Sequence, residues 1–306
     1  MAKPSRREWT KIDKGMASFY FFVHVLCIFA PFYFNWSAFW VAFALHNITG
    51  LFGISISYHR NLSHRSFKLS KFFEYLFAYC GVHALQGDPI GWVSTHRSHH
   101  QFVDTERDPH SPVQGFLFSH MTWLFDSNFY AKKVCSNPSF NNFKEIEKKN
   151  FLSVRKYGRA DNVGDLEKQT FYRFIHKTYL LHPIILAILL FLVGGTPFLI
   201  WGMGVRIVTL LHSTFMVNSI CHTWGKQPWK NNNLSTNNWL LGLVVYGEGW
   251  HNNHHAFEYS ARFGLEWWEI DFGWYVIMLL QAIGVATNVK QPSQAHKQRM
   301  NQNASL

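Results

Sequence analysis

The sequence predicts an all-α integral membrane protein. It should have four transmembrane helices and a cytosolic helical cap that holds a di-metal site. Three observations predict it. Aromatic residues make up 18% of the 306-residue chain and charged residues only 15%, against about 25% charged in a soluble domain. Four long apolar stretches approach the ~20 residues a helix needs to cross the hydrocarbon. Eight of the 18 histidines crowd into three short clusters outside those stretches.

Residues 1–15 form a basic, cytosolic N-terminus with Lys3, Arg6, Arg7, Lys11 and Lys14. Residues 16–290 follow as one domain. Its first span, about 16–34, has one proline and no formal charge, and its second, about 37–57, is also uncharged. A very short turn joins them into a membrane hairpin. Phe72 to Val93 is apolar but contains Glu74, His83, Gln86, Asp88 and Pro89. It is expected to be a buried or interfacial helix feeding the second cluster. Counted as a fifth span, it would put that cluster across the membrane from the first. Residues 128–170 are a polar insertion rich in Lys and Asn. The third and fourth spans, about 179–195 and 196–220, meet at the turn Gly194-Gly195-Thr196-Pro197. Arg206 interrupts the fourth, where it either snorkels or faces the protein interior. Residues 291–306 are a polar C-terminal tail.

The segments that lie outside the spans on the cluster side are basic, whereas the turns near Asn35 and Thr196 hold no Lys or Arg. The positive-inside rule therefore puts both termini and all three clusters in the cytosol. No small-residue cleavage site follows Met16, so a cleavable signal peptide is not expected. The net charge of +11 suits anionic lipid, acyl-CoA phosphates or an acidic partner. No nucleic-acid recognition module is visible. The four cysteines, Cys27, Cys80, Cys135 and Cys221, form no CxxC pair, so neither a zinc ribbon nor a redox dithiol is indicated. Of five Asn-x-Ser/Thr sequons, at Asn35, Asn47, Asn61, Asn233 and Asn303, one lies inside the first cluster. Glycosylation there would contradict the topology.

The clusters are His59 to His64, His96 to His100 and His251 to His255. Imidazole suits iron, zinc, copper and nickel. Eight imidazoles exceed the needs of one ion and suit two. His96, His99 and His100 stand at i, i+3 and i+4, as do His251, His254 and His255, so each triplet shares one helix face. His59 and His64 are five apart, roughly 140° around an α-helix. That pair needs a helix end, or two metals approached from different sides. Nitrogen-only ligands exclude magnesium and calcium. Structural zinc closes at four ligands, usually with cysteine. Two clustered metals with open positions suit oxygen activation by iron, chemistry that no side chain performs alone. His24, His46, His182 and His212 read as single histidines within spans. His83, His110, His120 and His176 read as singletons near the surface or the cluster flanks. His110 and His120 are candidates for orienting ligand histidines. Asp104, Glu106 and Asp108 could do the same, but as isolated charges they read as solvated.

The segments YHRNLSHRSF (58–67), QGDPIGWVSTHRSHHQFVDTERDPH (86–110) and GEGWHNNHHA (247–256) resemble the membrane-bound acyl-CoA desaturases of the delta-9 type, the plant branch most closely. The resemblance runs from about Ala17 to Lys290. It implies that residues 16–290 are a fatty acid desaturase domain. It also implies a ninth histidine, His222, and a water-holding asparagine, Asn218, on the fourth span. One iron would take His59, His64, His96, His100 and His255, and the other His99, His222, His251 and His254. It further implies that Gln86, Trp92 and Thr214 line the bend of an acyl tunnel, which positions one methylene pair. Gly91 stands where many relatives carry an acidic residue, a departure bearing on headgroup contacts.

The implied activity inserts a cis double bond, expected at delta-9, into a saturated acyl chain on CoA or a glycerolipid. It would use two iron ions, dioxygen and two external electrons. No His-Pro-Gly-Gly heme motif occurs, so a separate cytochrome b5 and its reductase are expected as donors, or ferredoxin if the protein is plastidial. The expected location is the endoplasmic reticulum membrane. The competing enzyme reading is an acyl hydroxylase or other oxygenase. A histidine-rich metal transporter is the reading from another class, but transporter ligands usually sit near the bilayer midplane, and these triplets lie outside the spans.

Overall fold

The computed structural model describes residues 9–127 and 162–303. Most of the expected polar insertion lies outside the described residues. Helices dominate, and the described strands form one two-stranded antiparallel ribbon, β1 (Lys68–Leu69) with β2 (Ala286–Thr287).

Helix α1 (Lys11–Ile28) starts from a capping box in which Thr10 and Asp13 satisfy each other's backbone N–H groups. The chain turns at Ala30–Tyr33 and enters α2 (Trp36–Ser63), capped by Asn35. From Ile48 onward α2 widens into π-helical turns. Next come α3 (Lys71–Val82) and α4 (Pro89–Phe102). The stretch expected to be one helix feeding the second cluster is thus two. Leu85 and Gly87 adopt positive φ, which no helix continues through, and Asp88 then caps α4 with Pro89 at its first position. Short α5 (Phe116–His120) precedes α6 (Thr170–Thr178).

Two helical rods are long and apolar enough to cross a membrane: Trp36–Ser63 and Leu181–His222. The second is bent back on itself. Gly195 has φ 65° and ψ −156° inside it, and Leu190 packs directly over Gly202. In a straight helix those residues would lie about 18 Å apart. The rod is therefore a hairpin that reverses at Gly195, within α7 (Leu181–Leu199); past the bend, the wide turns Ile200–Val205 lead on into α8 (Arg206–Ser219). On α7, Leu192 and Val193 are 72% and 77% exposed. Such an apolar surface calls for lipid rather than water.

Helix α1 runs antiparallel to this last rod. The Trp201 indole donates to the Ala30 carbonyl (3.2 Å), Leu26 packs on Gly204, and His24 Nε2 lies 3.0 Å from His212 Nε2. His212 in turn meets His120 at 3.0 Å. Three histidines expected to stand singly therefore form one chain across α1, α8 and α5. Arg206 faces the interior and is 1% exposed. It donates to the Thr49 hydroxyl and the Gly202 and His83 carbonyls.

Helices α2 and α3 cross at Gly53 and Gly81 so closely that a Cβ on Gly53 would fall inside the Gly81 backbone. Around this crossing Ile54, Tyr58, Leu62, Ala78, Ile90, Val93 and Tyr172 form a buried core. Each large side chain there contributes roughly 1.5–3 kcal/mol, and the core fixes α2 against α4. The cap closes with α9 (Trp239–Val244), α10 (His251–Ala256), α11 (Phe272–Ala282) and α12 (Gln294–Asn303), the last within the expected polar tail.

Candidate metal centre

Nine histidines from α2, α4, the end of α8 and α10 converge in two groups. His59, His64, His96, His100 and His254 form one. His99, His222, His251 and His255 form the other. Within each group the ligand nitrogens lie within 4.8 Å of one another. The memberships of His254 and His255 are exchanged relative to the grouping expected from the resemblance. Neighbouring helix residues point about 100° apart, so on α10 these two side chains reach opposite groups.

His59 and His64 reach one group because the end of α2 is π-helical. The His64 N–H bonds to the His59 carbonyl, five residues back (3.2 Å). That bond sets the two rings one turn apart, edge to face with centroids 4.9 Å apart. On α4, Arg97 fixes the helix between its histidines. It forms a fork with Asp165 (2.9 Å twice) and donates to the Leu62 and Asn162 carbonyls. Asn237 holds α10 by accepting from the backbone N–H groups of Asn252 and Asn253. The side chain of Asn253 then donates to Glu269 and to the Phe263 carbonyl.

The Nε2 atoms face inward. In the first group His64 and His96 are 2.8 Å apart, His59 and His254 3.1 Å, and His254 and His100 3.0 Å. In the second, His99 and His255 are 3.4 Å apart, while His255 and His251, and His251 and His222, are 3.0 Å apart. With metal–imidazole distances of roughly 2.0–2.1 Å, two nitrogens about 90° apart on one ion are about 2.9 Å apart. The donor sets therefore fit one first-row metal each.

Outward-facing Nδ1 atoms meet carboxylates. Glu248 lies 2.6 Å from His59, Asp108 3.0 Å from His99, Asp104 3.0 Å from His222 and Glu258 3.1 Å from His100. The hydrogen bonds at His99 and His222 hold a proton on Nδ1 and leave Nε2 free to ligate, while Glu248 and Glu258 stand at ion-pair distance from the other two rings. Asp104 and Asp108 are thus anchors rather than solvated charges, and Glu248 and Glu258 were not anticipated at all. His110 lies against His99, with ring centroids 4.4 Å apart, and clusters with His99 and Asp108 without joining either of the two histidine groups. His120 bonds to His212 and Ser219 instead. Asn61 is buried and donates to the Phe67 carbonyl, which leaves no room for a glycan.

Burial, and then repulsion between the rings, pushes the His64, His96, His251, His254 and His255 imidazoles well below their usual value. Neutral imidazole is the ligand form. Burial alone would raise the Asp108 and Glu248 carboxyls, but the facing histidines, with Arg60 for Glu248, pull both down, Glu248 to about 2. His99 is raised because Asp108 outweighs its burial.

A cleft opens onto both groups. His59 and His96 of the first and His99 and His251 of the second line it, with Asn218, Ile54, Leu210, Val217 and Val245. Trp92 and Thr214 line it too. The three residues expected at the bend are directly linked: the Trp92 indole donates to Gln86 Oε1 (3.2 Å), and Gln86 Nε2 donates to the Thr214 hydroxyl (2.8 Å). The Trp92 ring also stacks on His96 at 5.1 Å.

The family model for fatty acid desaturase matches residues 34–278. The chain belongs to the fatty acid desaturase family. This desaturase is 56% identical over 294 residues to the palmitoyl-monogalactosyldiacylglycerol delta-7 desaturase, chloroplastic, of Arabidopsis thaliana, covering 96% of this chain and 73% of that one. It is 51% identical to the acyl-CoA C20 delta5-desaturase of Anemone leveillei (96% and 87% covered) and 51% identical to delta-9 acyl-lipid desaturase 2 of Arabidopsis thaliana (96% and 88% covered). The chain is accordingly an oxidoreductase that acts on a lipid substrate in association with a membrane.

Proposed function

We propose that this desaturase inserts a cis double bond, at delta-9, into a saturated acyl chain carried on CoA or a glycerolipid. The observation that carries this reading is a cleft lined by histidines of both groups together with the apolar side chains of Ile54, Leu210, Val217 and Val245. Two iron ions, one per group, would be held by His59, His64, His96, His100 and His254, and by His99, His222, His251 and His255. Asn218 would act through a water. The iron pair supplies the oxidising power to remove hydrogen from an unactivated methylene. In balance, two hydrogens leave the chain and join dioxygen, two protons and two electrons to give two waters.

The residues of this chain supply placement. Ile54, Leu210, Val217 and Val245 exclude water and hold the alkyl chain. The Gln86–Trp92–Thr214 link fixes the wall beside His96, so one methylene pair rests against both groups. Asp108 and Asp104 keep the Nδ1 protons of His99 and His222 in place, so these imidazoles present Nε2 inward, and Glu248 and Glu258 stand beside His59 and His100. Chain placement also decides between desaturation and hydroxylation, because both begin with hydrogen removal. Relatives are named for delta-7, delta-5 and delta-9 bonds, so bond position varies among similar sequences, and in this reading the cleft sets it.

In this reading the chain crosses the membrane four times, by α1, α2, α7 and α8; the two long apolar rods, the hairpin at Gly195 and α1 lying antiparallel to α8 support it. Both termini and the histidine groups then face the cytosol, in the endoplasmic reticulum. Electrons come from cytochrome b5 and its reductase, or from ferredoxin in a plastid. The test is purified, iron-loaded protein given an electron source and either acyl-CoA or a saturated glycerolipid. Product two mass units lighter identifies desaturation and its carrier. Product sixteen units heavier moves the assignment to hydroxylation.

A further inference from the structure

Arg60 follows His59 directly, yet it points away from the metal groups and is 0% exposed. All five of its N–H groups have acceptors. Nε donates to Glu248 Oε1 (3.2 Å). Nη1 donates to Asp271 Oδ2 (3.1 Å) and the Ala261 carbonyl (2.9 Å). Nη2 donates to Asp271 Oδ1 (2.9 Å) and the Tyr246 carbonyl (3.3 Å). The guanidinium carbon lies 3.9 Å from the centre of the Phe263 ring. Gly273 covers it, and a Cβ there would lie 2.8 Å from Cζ.

Two short routes lead from this guanidinium to ligands. Through Glu248 it reaches His59 Nδ1 (2.6 Å). Through Phe263 it reaches the His254 ring, whose centroid is 4.3 Å from that of Phe263. His59 and His254 belong to the same group, and their Nε2 atoms are 3.1 Å apart. The carboxylates of the other group stand elsewhere. Asp108 is held by the backbone N–H groups of Asp104 and His110, and Asp104 accepts from the Leu234 N–H.

We propose that Arg60 is a positioning residue for the His59–His64–His96–His100–His254 group alone. It orients His59 through Glu248 and His254 through Phe263, and clamps the end of α2 to the loops on either side of α10. The proposal rests on each group holding one metal, as in the reading above. A lysine cannot serve, because one ammonium cannot form the fork to Asp271 while also meeting Glu248 and two carbonyls.

The test counts metal on full-length protein purified in detergent, by mass spectrometry of the metal, with helical content followed by circular dichroism. Wild type should hold two ions and His222→Ala one. Arg60→Met should hold one, and Arg60→Met/His222→Ala none. Arg60→Lys should hold its first-group ion about 10–100-fold more weakly against a chelator. Retention of two ions by Arg60→Met overturns the proposal. So does loss of both with helical content intact, which a merely structural role would produce, or retention of one ion by the double variant. Should Arg60→Met fail to fold, Phe263→Leu is read in the same way: unchanged chelator resistance of both ions overturns the route through Phe263. A wild-type chain holding fewer than two ions overturns the two-metal reading itself, and the assignment to Arg60 with it.

Discussion

Asp108→Asn tests the second histidine group with the smallest possible change of shape. Both Asp108 oxygens lie 3.0 Å from His99 Nδ1. One also accepts from the Asp104 N–H (2.9 Å) and the other from the His110 N–H (3.1 Å). Asparagine has one acceptor oxygen, so whichever way it turns, its amide NH2 faces a backbone N–H. The pair is fully buried, at 1% and 0% exposed, so water cannot compensate. A buried hydrogen bond to a charged group contributes about 1.5–3 kcal/mol. At 1.4 kcal/mol per tenfold, metal held through His99 should bind roughly 10–100-fold more weakly, in line with other partners of ligand histidines. The assay is chelator competition on iron-loaded protein, followed by metal mass spectrometry. One of two ions should be lost at a lower chelator concentration than in wild type. Both ions behaving as in wild type, within about twofold, would refute the claim that Asp108 fixes the His99 ring.

Other consequences follow from the same geometry. Trp92→Ala opens the cleft wall beside His96 and frees Gln86, so product chromatography should show a shifted bond position or altered chain-length preference. An unchanged profile would remove Trp92 from the cleft's function. Gly53→Ala drives a methyl into the Gly81 backbone, and overpacking of this kind costs about 1–3 kcal/mol, so the unfolding midpoint should fall. By contrast, Gly15→Ala meets nothing within 4 Å on α1 and should be neutral or slightly stabilising. Burial would raise the Asp165 carboxyl, but hydrogen bonds from Arg97 and Arg65 outweigh it and hold it down to about 2. A carboxyl depressed in the folded state stabilises above its unfolded value of about 3.9. That contribution is lost as pH falls from about 4 toward 2. Asp165→Asn should therefore be less stable than wild type at neutral pH, with the difference shrinking through that window in pH-dependent thermal unfolding.

Much of this centre was legible in the sequence because the i, i+3, i+4 spacing of His96, His99 and His100 survives folding unchanged. The same spacing could not assign His254 and His255 to groups, since that depends on how α10 crosses α4. His59 and His64 looked awkward as an α-helical pair, and only the π-helical widening of α2 brings both rings to one point. Asp104 and Asp108 carry no periodic signal, and Glu248 and Glu258 are paired with histidines 189 and 158 residues away in sequence. Hydropathy marked the apolar stretches and the Gly194–Pro197 turn, where the chain reverses at Gly195. It could not show that Leu85 and Gly87 break the segment before α4. His24, His120 and His212 lie too far apart in sequence for any spacing rule to join them.

The most direct test is the fatty-acid profile, by gas chromatography and mass spectrometry, of yeast lacking its own delta-9 desaturase and expressing either this chain or its His99→Ala variant. A new monounsaturated acid from the wild-type chain, absent with equally expressed His99→Ala, is the predicted result. A hydroxylated acid in its place, or the same monounsaturated acid from the variant, would contradict the assignment of a desaturase centre to these histidines.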